Sequence, residues 1–583
     1  MRIPALSQRY LVMIAGAGLL TAAASHFALA AFADDLEDFQ VQKILGRAHV
    51  EVDHSPEGKK VVQIIAVSDE VFGSEDPWPL FLNVFHTVTL PSVIENELAF
   101  AVGDVWTTDL VSESERNLRA RLVVSMAKIV ALKAERENEV KVMIVTKDLW
   151  SLRLNQDFSV AGSTLEYLEL QLEESNFLGR RKALRVSGRM DLGASWLTQQ
   201  YDDPHIASTQ WAGFEELGIG LNRQTGAVEG GKAHLVWELP VRSIRQEWSG
   251  AVDLSTSVDQ LRIFSNGKLA NIKSAQTNEV MPYQYFRGRS GFDVRVDHGL
   301  GEKKKHVWSF GWNLSSFRNV FSNAPATLSS LGLSDLEAKY LPVSEQFSQP
   351  YFRYHYYENT FHEEVNYDTY SLTEDVRLGP EMIFETGVAN SIFGFDTDYV
   401  KMYGLLGFAE QAEGFLYGGS VSFGSRYQPN KIAGQPWINQ VGRAKFRVST
   451  PAIFLNGRLH LNLYVNRRWF DRNRAMDGLG GDQLRGFPSK YFIGSSSWLG
   501  SLEWRSAPLK LSTLRLGYAV FTEVGDAFET AGPVEAYGSS GLGLRLLIPE
   551  YNRAVLRADL GFPWQRPVGV DAFAVSVKFG QAF

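Results

Sequence analysis

Arg485 stands between apolar Leu484 and the pair Gly486-Phe487, in a stretch that runs Gly480-Gly481-Asp482-Gln483-Leu484-Arg485-Gly486-Phe487-Pro488. A guanidinium is a permanently charged, planar fork of donors, suited to gripping carboxylates rather than to making or breaking bonds. An Arg-Gly-Phe triplet is common, so its meaning depends on what surrounds it. On a water-soluble surface it is an ordinary loop; inside a closed sheet it is an anchor. Other residue types that do chemistry fail to assemble. The 11 His are scattered, and His355 and His362 stand seven apart in an aromatic run with no third ligand nearby. No nucleophile arrangement of a lipase or protease is found. The expectation is therefore no enzyme, no metal and no cofactor.

The stretch lies between two alternating runs, 459–466 and 493–505, and the elements around it decide its setting. The chain has 583 residues, 45% hydrophobic, with 14 Trp, 21 Tyr, 36 Phe, 51 Gly and no Cys. That composition suits a strand-rich protein without disulfides. No segment after residue 33 supplies the roughly 20 apolar residues of a membrane helix. A net charge of −8, without a basic stripe, argues against nucleic-acid binding. Arg2 and Arg9 precede an apolar run over 10–24, and small residues follow at 28–30 and 31–33. Residues 1–33 are thus expected to be a secretory signal peptide.

Residues 34–59 are polar and are taken as a lead-in segment. From 60 to 150 the pattern is strand, helix, helix, strand, strand. A Val/Ile-rich run covers 61–71. Ser92 and Glu95 have capping-box spacing before Leu98 and Phe100, with Gly103 ending that short helix. Leu110, Ser114, Leu118 and Leu122 recur at fourfold spacing, predicting a helix over 109–121. Strands are expected at 123–133 and 140–146.

From 151 to 583 the period changes to two. Leu168, Leu170 and Leu172 alternate with Glu169, Gln171 and Glu173, and Phe573, Val575, Val577 and Phe579 alternate with Ala572, Ala574, Ser576 and Lys578. Such strands are apolar on one side only. A large soluble sandwich or propeller would also show this. Uninterrupted alternation, mixed charges on the polar faces, and aromatics near strand ends favour a membrane barrel. In lipid every backbone group needs a partner within the protein, so the sheet must close. The expectation is an all-β transmembrane barrel of about 16 antiparallel strands, preceded by one small α/β domain.

Several motifs follow one another in order. They are Leu98 to Gly103, Ser114-Glu115-Arg116-Asn117-Leu118-Arg119, Leu172-Glu173-Glu174-Ser175-Asn176-Phe177-Leu178-Gly179, Leu484-Arg485-Gly486-Phe487, Phe521-Thr522-Glu523-Val524-Gly525, Gly541-Leu542-Gly543-Leu544-Arg545, Arg557-Ala558-Asp559-Leu560-Gly561 and Phe583. Together they resemble the BamA/TamA-like outer-membrane assembly and secretion superfamily, whose barrels follow polypeptide-transport-associated (POTRA) domains. Only one POTRA-like unit fits before this barrel. Glu523 stands where the family usually has Asp, and Gln581 where it often has an apolar residue.

The resemblance implies that the Arg485 loop folds into the lumen, between strands 11 and 12 of 16. Parity on 512–523 turns Arg515, Gly517, Ala519, Phe521 and Glu523 to one face. Glu523 is then the main partner of Arg485 and Asp559 the second, while Gly486 lets the backbone pass the wall and Phe487 wedges beside it. Asn176 and Gly179 are assigned to the first turn, Gly525 and Phe583 to the family signature, and Asp526 to a turn. The first and last strands, near 164–173 and 571–580, are expected to pair weakly as a lateral seam. The implied function is outer-membrane protein assembly or translocation, with the small domain in the periplasm. Its partners would be polypeptide clients, outer-membrane lipid and periplasmic accessory proteins. A dedicated secretion pore and a plugged structural or receptor barrel are the alternatives.

Overall fold

The computed structural model describes residues 36–582 except 73–82, 85, 122, 162–163, 266–267, 322–323, 396, 430–433, 512 and 530–531. The expected signal peptide and Phe583 lie outside the described residues.

The N-terminal domain comprises α1 (Leu36–Ala48), β1 (Lys60–Asp69), α2 (Pro91–Glu95), α3 (Thr108–Arg121), β2 (Val124–Lys133) and β3 (Glu139–Asp148). Its sheet has the order β1-β3-β2, with β1 parallel and β2 antiparallel to β3. Ile94, Leu118, Val124, Val142 and Ile144 form the core between α2, α3 and one sheet face. On the other face Val41 and Ile44 of α1 cover Met126, Leu132, Met143 and Val145. The segment expected to be a polar lead-in is therefore a helix, its Val41, Ile44 and Leu45 falling on one side at i, i+3, i+4. The capping box at Ser92 does not form either. Pro91 opens α2 and Leu90 is its N-cap, without a side-chain bond, because proline at the first helical position already presets the backbone.

The rest of the chain closes into an antiparallel barrel of 20 strands among the described residues, not about 16. The higher count follows from short connections at both rims. Ala412 and Phe415, for example, are joined by Glu413 and Gly414 alone, both at positive φ (51° and 80°), the two-residue turn whose twist matches a hairpin. The first strand is Leu152–Ala161, and the run at 164–173 belongs to the second, Thr164–Phe177. The last strand is Ala574–Phe579.

Period two separates the two faces. Leu172, Phe310, Leu406, Val421, Leu542 and Leu544 are exposed on the outside, where lipid would cover them. Aromatic pairs mark both margins of that band. Trp248/His298 and Trp504/Tyr518 lie toward the rim beside the N-terminal domain, here the proximal rim, and Tyr427/Trp437 toward the distal rim. No helix among the described residues is long and apolar enough to cross a membrane; strands do the crossing.

The N-terminal domain is fastened across the proximal rim. Its buried Glu97 receives hydrogen bonds from His205 Nε2 (3.0 Å) and Arg242 Nη1 (3.0 Å), both on proximal turns. Burial alone would raise the carboxyl pKa, but the His205 bond and the charges of Arg242 and Arg121 outweigh it and hold it below the ordinary carboxylate range. At the junction, buried Asp148 accepts from Thr89 N (2.7 Å) and lies 3.0 Å from His86 Nε2, while His86 Nδ1 is 3.3 Å from Ser151 Oγ. Ser, His and Asp thus meet, but Ser151 is only 1% exposed, so no substrate reaches it; the set clamps the linker.

Candidate functional site

Five barrel strands follow the loop between Arg458–Trp469 and Ser496–Arg505, so it joins strands 15 and 16 of 20 rather than 11 and 12 of 16. It starts at the distal rim and turns inward. There its base meets the long distal connections, which carry a short hairpin (Asn271–Lys273 with Val280–Pro282) and a helix (Ser330–Tyr340). Arg474 Nη2 donates to Ala338 O at 2.7 Å, and Met476 packs against the cluster of Ile272, Met281, Phe321 and Leu336. Further in, the backbone folds tightly. Gly481 N donates to Phe487 O (2.9 Å), and Leu484 takes the left-handed region at φ 64°. That conformation is strained for a non-glycine residue. It is compensated by the complete burial of Leu484 with Leu479, Phe487, Phe492 and Leu499.

Arg485, 1% exposed, is held by three carboxylates. Glu523 accepts from its backbone N (2.6 Å) and its Nε (3.0 Å), gripping main chain and side chain together. Nη1 lies 3.0 Å from Asp559 and 2.8 Å from Glu503. The guanidinium also covers the Phe521 ring, 3.5 Å from its centroid, a favourable cation–π arrangement. Gly486 (φ 112°) passes against Gly561: a Cβ there would lie 3.2 Å from the Gly561 carbonyl carbon. Phe487 is fully buried, its ring centroid 5.0 Å from that of Phe492.

The charges continue as an alternating network. Arg505 Nε lies 2.8 Å from Glu503, Arg545 Nη1 2.6 Å from Asp559, and Arg557 bridges Asp559 (2.9 Å) and Asp482 (3.1 Å). Buried ions persist only when paired in this way. Nothing here is poised for proton transfer or nucleophilic attack; the arrangement holds a loop. Sequence reasoning gave Glu503 and Arg505 no part in the site, and named Arg545 and Arg557 only within their motifs. Parity would have found them, since Ser501, Glu503 and Arg505 share the inward face of their strand, as do Arg557 and Asp559 of theirs.

The remaining expected residues lie elsewhere. Asn176 is not confined to its turn: its Nδ2 donates to Thr87 O (2.9 Å), and Gly179 O accepts from Leu90 N (3.0 Å), so the turn also clasps the N-terminal domain. Gly525 leaves room for its neighbouring strand and the base of the loop, since a Cβ there would lie 2.6 Å from Trp498 O and 3.3 Å from Leu479 Cδ1. Asp526 accepts from Glu535 N at 2.8 Å across its turn. His355 and His362 each meet one glutamate, Glu381 and Glu364. No cluster suited to a metal occurs among the described residues.

Among the described residues, the barrel closes through the shortest pairing between its 20 strands. First and last strands share four residue pairs, Phe158/Val577 to Ala161/Ala574, whereas Trp248–Arg262 and Gln284–Leu300 share 15. The loop straddles this seam from within. Asp482 reaches Lys578 of the last strand (2.8 Å), and Ser489 N donates to Glu166 of the second (2.6 Å).

A closed sheet, apolar outside and charged within, with a loop seated in its lumen, defines the class: a transmembrane β-barrel of the outer-membrane type. No family model and no curated protein matches the chain. Among solved structures it is similar to CdiB from Acinetobacter baumannii (10% identity, 90% of this chain and 74% of that one, TM-score 0.44). CdiB from Escherichia coli is comparable (11%, 90% and 76%, 0.43). BamA from Haemophilus ducreyi lacking POTRA domains 1-3 also matches (11%, 89% and 85%, 0.34). These likenesses are of fold.

Proposed function

We propose that the chain is an outer-membrane assembly or translocation factor of the BamA/TamA-like kind. In this reading residues 60–150 are a POTRA-like domain in the periplasm that recruits polypeptide clients, and the barrel helps them insert into or cross the membrane. The observation that carries it is the seated Arg485 loop spanning a seam of four residue pairs. A seam this short has few backbone hydrogen bonds to break, and a loop bonded to the last strand on one side and the second strand on the other spans it and is placed to hold or release it. The sheet of the small domain has two edge strands, β1 and β2, either of which could take up a client strand. Glu51–Asp53 already lie along β2, through the Val52/Leu132 bridge and the Asp53 N to Ala131 O bond. β1, the other edge strand, is covered only at its start, where residues 103–106 pair with 59–61, which leaves its later part for β-augmentation. Client folding supplies the driving force, since the periplasm offers no nucleotide.

Depleting the protein and quantifying the outer-membrane proteome tests this function. Broad loss of barrel proteins supports it. Loss of one secreted protein points to a dedicated pore, and no loss overturns both. Arg485→Ala is expected to reduce the folded, heat-modifiable form or client transport, and unchanged activity removes the role given to Arg485.

A further inference from the structure

One hairpin departs from the wall. Thr360–Val365 pairs with the start of Thr373–Ala389, and the turn 366–372 between them folds into the proximal mouth. It is a prefolded knob: the Glu374 carboxylate accepts from the backbone N of Tyr367, Asp368 and Thr369, and Asn366 Oδ1 from Ser371 N. The knob reaches distant strands. Asp368 pairs with Arg447 (2.7 Å) and Arg505 (3.5 Å), and Tyr370 is buried with Leu372, Leu547 and Val555. Gly517 leaves the space for it, since a Cβ there would collide with the Tyr370 hydroxyl. From the other side α3 grips the base of the hairpin. Arg119 forks onto Asp375 (Nε 2.9 Å, Nη2 2.6 Å) and reaches Glu363 (2.9 Å), while Arg116 lies 4.4 Å from the Phe361 centroid.

We propose that this hairpin is a plug, inserted into the proximal mouth and locked there by Arg119, so that displacement of the N-terminal domain withdraws it. Only the trigger, a client pulling on that domain, rests on the function proposed above; the lock does not. The knob holds its own shape, so it can leave as a unit. Its contacts with the wall are ion pairs, single hydrogen bonds such as Thr369 Oγ1 to Arg553 O (2.7 Å), and the side chains of Tyr367, Tyr370 and Leu372, rather than a continuous strand pairing. The ion pairs also link the plug to the lumen loop, from Asp368 through Arg505 and Glu503 to Arg485.

The chain has no cysteine, so a single thiol can report on the plug. Ser449 is fully buried and bonded to His460, which lies against Tyr367 of the knob. In the purified full chain, Ser449→Cys is expected to react slowly with a polymer-linked maleimide. Adding Arg119→Glu, which repels Asp375 and Glu363, is expected to speed labelling roughly tenfold by raising the released population, and Asp375→Arg in that background to restore protection. Asp368→Asn is expected to speed labelling without touching the N-terminal domain. Equal rates in all four proteins, each running as the folded heat-modifiable form, would overturn the plug. The assay uses no client, so the assembly reading and the plug can fail independently.

Discussion

The backbone of Gly486 crosses that of Gly561 so closely that a Cβ on Gly561 would lie 2.5 Å from the Gly486 amide nitrogen. Both sides of the contact are backbone, so neither yields by rotating a side chain. Gly561→Ala is therefore expected to unseat the lumen loop at a cost of about 2 kcal/mol, typical of overpacking. Urea midpoints of the heat-modifiable form measure this. Gly188→Ala, where nothing lies within 4 Å of the added carbon, is the control and should leave the midpoint unchanged.

Glu503 and Asp559 each contact three guanidiniums: Arg485, Arg505 and Arg545 for the first, Arg485, Arg545 and Arg557 for the second. Removing either charge leaves buried cations short of a partner. Glu503→Gln and Asp559→Asn are each expected to cost about 3 kcal/mol. A double variant should cost less than the sum, because both act through Arg485. Additive losses would show that the network is not one unit.

Arg485→Lys keeps the charge but not the fork. An ammonium has all its donors on one nitrogen, so it cannot reproduce the spread of Nε and Nη1 toward Glu523, Glu503 and Asp559, nor lie flat over Phe521. The expected loss is about 3 kcal/mol, close to that of Arg485→Ala. A Lys variant with native urea resistance and native proteolytic protection of the loop would mean that charge alone seats it.

Glu97 gives the domain docking a pH dependence. Its pKa is depressed by docking, so its contribution is fully present above the ordinary carboxylate range and fades as pH falls through the depressed value. His205, Arg242 and Arg121 face it, and none of them loses positive charge on acidification. Protection of the 239–248 turn from protease should thus hold at neutral pH and decline only in acid. Glu97→Gln should show weakened protection already at neutral pH, by about 3 kcal/mol in docking. If the variant is protected like the native chain, Glu97 is not the fastener.

Much of the architecture can be read locally. Alternation of Leu170 and Leu172 with Gln171 and Glu173 sets which side meets lipid, because a strand's side-chain period is two whatever it pairs with. The same parity turns Glu523 and Asp559 inward, and the order of short elements before residue 150 follows from their own periodicities. The strand count, the identity of the first strand and the meeting of Glu503 with Arg485 depend on which turns close and at what register. Those are set by the whole circuit of hydrogen bonds around the barrel, not by any one segment. Helix α1 was hidden because its apolar stripe is narrow and gains its value only from the sheet face it covers. The hairpin at 360–378 looks like any other pair of strands in the amino-acid order. Only the far wall, with Arg447 and the gap at Gly517, decides that its tip enters the lumen, since burying Tyr370 and pairing Asp368 require groups that lie far away along the chain.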